Sequence, residues 1–406
     1  MNSKVSLEGG FTLVEALVAT AIVVCVTAGV IAVLNPARGV FRMQPEAADI
    51  QQRLRIGVDT LSRDLVSAGA GVNSGVGAGS LGSYFAPIMP FRRGSDPSVD
   101  DGPGVFKSNA ITIVSVPLTA AQTGLALDMP TASSPIAIRT ESGCPRDAST
   151  RLVDPLCGFK AGVTKAVIFD ETGAFDAFTI ASADATSQTL DVQHDQRGGL
   201  SKAYSKSASN HLTKVVEVAW HVYYLNTATR QLMHDDGFST VSPVLDNVVG
   251  LGFEYYGDPS PPALVRPGQD RTVTYGLSPP EADVAQVPFA RGENCAWQMS
   301  AGGQVTRLMF LGGGGGLVKL TSSQLTDGPW CPDEGNANRY DVDLLRIRKV
   351  RVTLRVQAGN DVVRGSLATG NAAMFVNRGT ALSRAQTVPD QTVRFDVSPR
   401  NLSLSR

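Results

Sequence analysis

The stretch that decides the fold is Gly9–Leu17, GGFTLVEAL, which lies at the edge of a long apolar segment. That segment runs from residue 11 to residue 34, FTLVEALVATAIVVCVTAGVIAVL, and its single carboxylate is Glu15. As a helix, these residues would cover about 36 Å, enough to cross the hydrocarbon of a bilayer with some tilt. An ionisable group inside such a helix is costly unless a partner neutralises it. Glu15 is therefore a candidate functional residue whose partner has to be identified.

The residues around the apolar segment indicate its limits and its orientation. Asn35-Pro36 follows it, and proline lacks a backbone N–H and restricts the residue before it, so we expect the helix to be interrupted at residues 35–39. Lys4 and the amino terminus precede the segment and are partly offset by Glu8. Positive charge on this side predicts a single-pass topology with the N-terminus in the cytoplasm.

A secretory signal peptide and a plain signal anchor are the ordinary interpretations of such a segment. A signal peptide has a basic start, an apolar core of about 7–15 residues and a small-residue cleavage site after that core. Here the small residues Gly9-Gly10 come before the apolar run. A cut at this position would leave the whole hydrophobic helix on the mature protein.

GGFTLVEAL resembles the leader junction of type IV prepilins and type II secretion pseudopilins, in which glycine is followed by Phe-Thr-Leu-x-Glu. Gly10, Phe11, Thr12, Leu13 and Glu15 all match this pattern. The resemblance implies cleavage by prepilin peptidase after Gly10 and N-methylation of the new terminal amine of Phe11. Glu15 is then expected to pair with that amine, in a neighbouring subunit or its own, because each charge alone would be costly in an apolar filament core.

Three threonines lie on or beside the apolar helix. We expect Thr12, Thr20 and Thr27 to hydrogen-bond back to the carbonyl of the preceding turn.

Beyond the proline the pattern becomes amphipathic. Apolar residues recur at three- and four-residue spacing at Ile50, Leu54, Val58, Leu61 and Leu65. This predicts a second helical stretch from near residue 45 to near residue 69, whose apolar stripe packs on a sheet. A coiled coil with a partner is the alternative.

The rest of the chain is typical of many short strands and long loops. The 406 residues include 41 glycines and 23 prolines, and short apolar runs alternate with clusters of Gly, Pro, Ser and Asp. Residues 72–104 are predicted to form an extended loop. The predicted strands are Ile111–Val116, Ile136–Thr140, Lys165–Asp170, the run around Phe178, a hairpin of Thr213–Asn226 with RQLMHDD, the run ending near Gly257, RKVRVTLRVQ and Gln391–Val397. In RKVRVTLRVQ, the alternating valines and leucine predict a half-buried antiparallel strand.

The order of the later motifs is similar to that of PilW-like minor pilins and of the minor pseudopilin J group. The matching motifs are the YYL strand, PVLDNVVGLGFEYYGD, VRVTLRV and VRFDVSPRNL. Residues 258–341 have no counterpart in this pattern and are predicted to be an insertion. The predicted fold is α+β and pilin-like, a long N-terminal helix packed on antiparallel sheets. Its predicted parts are a leader (1–10), a transmembrane or filament-core helix (11–34), an amphipathic helix (35–70) and an exported β-rich domain (71–406).

Four of the five cysteines lie in the predicted exported domain. Pairing of sequence neighbours predicts disulfides between Cys144 and Cys157 and between Cys295 and Cys331. A zinc site is the alternative, although the chain has no C-x-x-C pair.

Other candidate sites are weaker. His194, His211, His221 and His234 form no metal-binding motif and are expected to be ordinary surface or strand histidines. No nucleophile elbow or phosphate-binding loop occurs, so we predict that the protein is not an enzyme and needs no cofactor.

Two charged groups leave an alternative open. A structural calcium ion is one interpretation of the acidic residues Asp333, Glu334, Asp341 and Asp343, and a solvated loop is the expected one. The cations Lys349, Arg351 and Arg355 would contact DNA or an acidic neighbour, or form the solvent face of an edge strand, which is what we expect. With 36 basic and 37 acidic residues, no nucleic-acid partner is predicted.

The resemblance implies a minor pilin or pseudopilin that resides in the bacterial inner membrane and then joins a filament, at its tip or priming complex. The implied partners are other major and minor pilins or pseudopilins, prepilin peptidase and the inner-membrane assembly platform. The pseudopilin J role in type II secretion and a competence pseudopilus are alternatives within the class. A tip adhesin or DNA-binding subunit acting through residues 258–341 is an alternative of another class, and an anchored hydrolase lacks a catalytic motif.

Overall fold

The computed structural model describes most of the chain in segments. These segments are residues 12–73, 80–94, 100–118, 120–141, 143–146, 150–170, 173–193, 199–206, 213–260, 262, 297–299, 305–307, 310–312, 316–328, 330–332, 335–360, 364 and 388–403. For residues 32–43, 193, 297–299 and 305–307 the backbone alone is described. The chain divides into unit 1, Met1–Gln52 with Gln357–Gln391, and unit 2, Arg53–Val356 with Thr392–Arg406.

A single helix, α1, runs from Leu13 to Ser67 over 55 residues. The predicted interruption at residues 35–39 is therefore wrong. Pro36 removes one hydrogen bond and crowds the preceding turn. However, helix propagation is cooperative and each further residue adds a bond, so the long stretches on both sides of the proline continue through it. A short helix, α2, spans Arg400–Ser403 near the end of the chain.

The rest of the described chain consists mainly of strands. In chain order these are β1 Ile88–Met89, β2 Ala110–Ser115, β3 Gln122–Gly124, β4 Ile136–Ala137, β5 Lys165–Phe169, β6 Phe175–Asp184, β7 Thr189–Gln193, β8 Lys214–Glu217, β9 Ala219–Asn226, β10 Gln231–Asp235, β11 Val241–Asp246, β12 Val248–Gly257, β13 Trp297–Met299, β14 Val305–Arg307, β15 Val318–Leu320, β16 Trp330–Cys331, β17 Tyr340–Asp341, β18 Ile347–Val356 and β19 Gln391–Val397. Short 3-10 helices occupy Leu81–Ser83, Ser323–Leu325 and Val342–Arg346. The fold class is α+β, with an apolar N-terminal helix and several antiparallel sheets.

Sheet 1 has five strands in the order β1-β2-β9-β10-β11. Strands β9 and β10 form the predicted hairpin, in which Tyr223 lies opposite His234. The segment of residues 72–104, predicted to be an extended loop, instead contains a 3-10 helix and β1, the first strand of this sheet. Its aromatic side chains Tyr84, Phe85 and Phe91 are buried, and this apolar burial holds the segment on the core.

Sheet 2 has four strands in the order β15-β12-β18-β19. The alternation predicted for β18 is confirmed, since Val350, Val352 and Leu354 are buried while the residues between them are half-buried. Strand β19, the predicted strand at Gln391–Val397, pairs with it. Strand β15 falls within residues 258–341 and pairs with β12, whereas the hairpins β13-β14 and β16-β17 in the same range pair only within themselves among the described strands.

A six-stranded antiparallel barrel is formed by residues between β2 and β9. Its strands are ordered β3-β8-β5-β6-β7-β4. The two ends of this order meet, because Leu125 and Ile138 form an antiparallel bridge and the Arg139 N–H donates to the Gly124 carbonyl at 3.0 Å. The interior is filled by buried residues that include Phe159, Ile168, Phe178, Ile180, Leu190 and Tyr204.

The barrel interrupts sheet 1 in the sequence without breaking it in space. Strands β2 and β9 pair directly, with Ala110 opposite Tyr224, although the barrel lies between them in the chain. The run Thr213–Asn226, predicted as one strand, is two: β8 belongs to the barrel and β9 to sheet 1, and the change occurs at Val218. The backbone N–H of Val218 still donates to Lys165 of the barrel at 3.0 Å.

In unit 2, the C-terminal part of α1 packs on the sheets. Leu61 and Leu65 are fully buried. A Cβ added at Gly57 would lie 2.5 Å from Leu354 of β18 and 2.7 Å from Leu245 of β11, so the helix approaches both sheets closely at this position. The predicted packing of the amphipathic stripe within the chain is therefore confirmed for this part of the helix.

Candidate functional site

The N-terminal end of α1 is closed by a reciprocal pair of side chains. Thr12 precedes the first helical residue, and its backbone N–H and its hydroxyl each donate to Glu15 Oε2 at 2.9 Å. In return, the Glu15 N–H donates to Thr12 Oγ1 at 3.3 Å. This arrangement is a capping box, in which a threonine and a glutamate three residues later satisfy each other's free N–H groups.

The cap gives Glu15 a partner inside its own chain. A carboxylate in the first helical turn is also favoured by the helix dipole. Among the described residues, the hydrogen bonds to this carboxylate all end on Oε2. The prediction that Thr12 bonds back to a preceding carbonyl is wrong because Thr12 stands before the helix. Thr20 and Thr27 do so as predicted, donating to Leu17 and Val23.

Gly10 and Phe11 lie outside the described residues. Cleavage between them, methylation of Phe11 and pairing of its amine with Glu15 therefore stay predictions.

The segment Leu13–Ile31 of α1 is long and apolar enough to cross a membrane. Its mean hydropathy is 2.4 over 19 residues, and none of it is buried. Large side chains such as Leu13 and Val14 are 82% and 69% exposed, so this part of the helix has an apolar surface on all sides. Glu15 lies in its first turn.

The structure joins Cys144 and Cys157 in a disulfide, the pairing expected of these sequence neighbours. The bond joins two positions of the loop between β4 and β5, and the burial of both cysteines in the barrel core holds that loop on the barrel. Cys331 is also disulfide-bonded. Cys295 lies outside the described residues, and its pairing with Cys331 stays a prediction.

Three carboxylates converge near the β16-β17 hairpin. Ligand oxygens of Asp327, Asp341 and Asp343 lie within 4.8 Å of one another, a donor set that suits a hard divalent cation. Burial raises the pKa of Asp341 to about 7. The same group already has partners, because Asp341 accepts the Gly328 N–H and Asp343 accepts the Arg346 guanidinium.

A solvated loop is the prediction for Asp333, Glu334, Asp341 and Asp343, with calcium as the alternative, and that prediction is wrong for Asp341 and Asp343, which are buried. Asp341 and Asp343 belong to the group, whereas Asp333 and Glu334 lie outside the described residues. Asp327 was missed because the sequence alone does not show that the chain folds back to place it beside Asp341.

His221 and His234 lie on strands, as predicted, and their side chains meet. His221 Nδ1 and His234 Nε2 are 2.8 Å apart, and His221 Nδ1 is 3.5 Å from Asp64 Oδ2 on α1. Tyr223 donates its hydroxyl to the same Asp64 oxygen. The cross-strand register of β9 and β10 brings these residues together, and that register is the signal that would have identified them. His194 and His211 lie outside the described residues.

Strand β18, which carries the predicted cations, is an interior strand of its sheet, so the prediction that it is an edge strand is wrong. Strand β18 lies between β12 and β19. Asp396 of β19 accepts Lys349 at 3.1 Å and Arg351 at 2.6 Å, and Lys349 lies 4.3 Å from the Tyr256 ring centroid. Arg355, the third predicted cation, occupies the same side of the strand. Partners within the sheet therefore offset much of this positive charge.

No protein-family model, curated protein or solved structure matches this chain.

Proposed function

We propose that this chain is a low-copy subunit of a type IV pilus or pseudopilus. In this proposal α1 inserts it in the bacterial inner membrane, prepilin peptidase cleaves it after Gly10, and the exported domain lies outside. The observation that carries the proposal is Glu15, a carboxylate in the first turn of an apolar helix whose surface is exposed on all sides. A carboxylate at this position is costly in lipid and is therefore a mark of function.

The geometry of the cap supports the proposed assembly step. After cleavage, the new amine would belong to Phe11, the residue next to Thr12. Among the described residues, the hydrogen bonds to Glu15 end on Oε2, so within this part of the chain Oε1 is left to accept that amine from the same or a neighbouring subunit. The cation and the carboxylate then offset each other in the apolar filament core, where each alone would be strongly unfavourable.

The size of the exported part supports a low copy number. Besides α1, the described chain contains a five-stranded sheet, a four-stranded sheet, two hairpins and a six-stranded barrel. A body of this size is hard to repeat at every step of a thin filament, whereas a tip or priming complex has room for it. The proposed partners are other pilins or pseudopilins and the inner-membrane assembly platform.

The proposal is tested by removing the charge while keeping the cap. Glutamine satisfies the same capping geometry as glutamate, so Glu15→Gln keeps the helix start and loses the negative charge. Glu15→Ala loses both, and Asp59→Asn removes an exposed carboxylate elsewhere on α1. Mass spectrometry of the mature N-terminus and recovery in sheared filaments are measured for each.

We expect all three variants to begin at Phe11, and only Asp59→Asn to enter filaments in normal amounts. Normal recovery of Glu15→Gln in filaments would refute the charge-pairing step. A mature chain that starts elsewhere, or that lacks the apolar segment, would refute the assignment itself.

A further inference from the structure

A cluster of four polar side chains lies where α1 meets sheet 1. It consists of His221 and Tyr223 on β9, His234 on β10 and Asp64 on α1, and is named the histidine cluster here. The two imidazole nitrogens are 2.8 Å apart, and Tyr223 and His234 lie opposite each other with their ring centroids at 4.9 Å. Asp64 is the member of the cluster that belongs to the helix.

The contact between the two imidazoles requires that one facing nitrogen carry hydrogen and that the other keep its lone pair. A nitrogen-to-nitrogen distance of 2.8 Å is that of one N–H donating to one lone pair. If His221 Nδ1 and His234 Nε2 both carried hydrogen, two donors would face each other and the bond would be lost. A doubly protonated pair is therefore incompatible with the geometry of the cluster, and a single added proton is compatible with it only on the far nitrogen of the donor imidazole.

Asp64 gives a protonated His221 another partner. Its Oδ2 lies 3.5 Å from His221 Nδ1, beyond hydrogen-bond distance, and already accepts the Tyr223 hydroxyl. A cationic His221 that turned toward Asp64 would leave His234 and compete with Tyr223 for the same oxygen. Each of these changes alters the contact between α1 and sheet 1.

The charges around the cluster are mixed. Arg63 is next to Asp64 in the sequence of α1. Asp236 follows β10 and forms an ion pair with Lys165 of β5. Asp64 and Asp236 favour the charged imidazoles, whereas burial disfavours them and is the larger effect, so the pKa of both histidines is lowered from its ordinary value. Lys165 lowers the pKa of His234 further.

We propose that the histidine cluster is an acid-sensitive contact, which holds the C-terminal part of α1 on sheet 1 at neutral pH and releases it on acidification. In the released state both imidazoles are solvated and protonate near their ordinary value, about 6.5. The docked state is therefore fully favoured above that value and loses its advantage as pH falls through it. Each proton taken up on release shifts the equilibrium about tenfold per pH unit.

Hydrogen exchange with mass spectrometry tests the proposal on the full chain in detergent micelles. After correction for the intrinsic exchange rate, we expect the amides of residues 53–67 to open about fivefold more at pH 5.5 than at pH 6.5 for each proton taken up, since a released imidazole is already half protonated at pH 6.5. Strand β7 of the barrel serves as the internal control in the same digest. In the double variant His221→Gln with His234→Gln, neither side chain titrates and the pH dependence of residues 53–67 should vanish.

Equal protection of residues 53–67 at both pH values, or a pH dependence that survives in the double variant, would overturn the proposal. The wild-type chain gives a second measurement that does not depend on the variant folding. Exchange at the imidazole C2 carbon reports the titration of each histidine, and midpoints below the ordinary value for His221 and His234 support the proposal. Ordinary midpoints for both would overturn it.

Discussion

Asp176, at the start of β6, provides the sharpest test of the energetics of the barrel. Its carboxylate is 5% exposed and accepts hydrogen bonds from the Ser201 N–H at 2.9 Å, the Ser201 hydroxyl at 2.7 Å and the Tyr204 hydroxyl at 2.7 Å. The Asn338 side-chain amide donates to it as well. In Asp176→Asn, the new NH2 group can donate to either hydroxyl, so the variant imitates the protonated acid.

The magnitude follows from the pKa of this carboxyl. Burial raises the pKa of Asp176 from 3.8 to about 6, against the hydrogen bonds from Tyr204 and Ser201 that lower it. Between these values the unfolded chain has lost the proton and the folded chain keeps it, so the wild-type free energy of unfolding falls as pH rises. The loss amounts to about 3 kcal/mol once pH exceeds the folded value, at about 1.4 kcal/mol per pH unit.

The assay is urea unfolding of both proteins at pH 4 and pH 7.5. Trp220 serves as the fluorescent probe because its ring lies 6.4 Å from that of Phe175, the neighbour of Asp176. We expect the stability of Asp176→Asn relative to wild type to increase by about 2.4 kcal/mol between pH 4 and pH 7.5, because part of the full loss has already occurred at pH 4. A difference between the two proteins that does not change with pH would show that the carboxylate is not held in the protonated form.

Three further substitutions test the packing of the described structure. Replacing Cys144 and Cys157 by serine should lower the free energy of unfolding by about 3 kcal/mol, the value for a closed loop of this length, and thermal unfolding should show that reductant removes most of the difference between the variant and the wild type. Gly57→Leu should lower the free energy of unfolding by about 1–3 kcal/mol, because the larger side chain overpacks the contact of α1 with β18 and β11. Urea unfolding measures this loss, and an unchanged unfolding midpoint would contradict the close approach of the helix. Tyr223→Phe removes the hydroxyl that donates to Asp64 and should lower the free energy of unfolding by about 1–3 kcal/mol at pH 7.5, measured by the same urea titration. An unchanged free energy of unfolding would mean that another group donates to Asp64.

Strands with a complete local pattern could be predicted, whereas the sheet to which a strand belongs could not. The alternation in β18 identifies its buried face because successive side chains point to opposite sides. The run Thr213–Asn226 has strand propensity throughout, and nothing in it marks Val218 as the point where the chain leaves the barrel for sheet 1. That change depends on pairing with residues far away in the sequence, such as Lys165.

The candidate sites show the same difference between local and distant information. The spacing of Thr12 and Glu15 is that of a capping box and was present in the sequence. The meeting of His221 with His234 required the register of the hairpin, and the placement of Asp64 beside them required the packing of α1. The predicted interruption at Pro36 is wrong because the local steric effect of proline is outweighed by the long helical stretches on both sides of it.

The cap changes the energetic argument for assembly. A carboxylate without a partner would be strongly disfavoured in an apolar filament. Because Glu15 already accepts two hydrogen bonds from Thr12, the free-energy cost of transferring it into an apolar environment is reduced even without the amine. Because both hydrogen bonds from Thr12 end on Oε2, an amine at Oε1 adds to the cap and does not replace it. Thr12 then has a role of its own in the proposed step: it fixes the orientation in which Glu15 meets the amine. Loss of the threonine side-chain oxygen would leave the charge and remove that orientation.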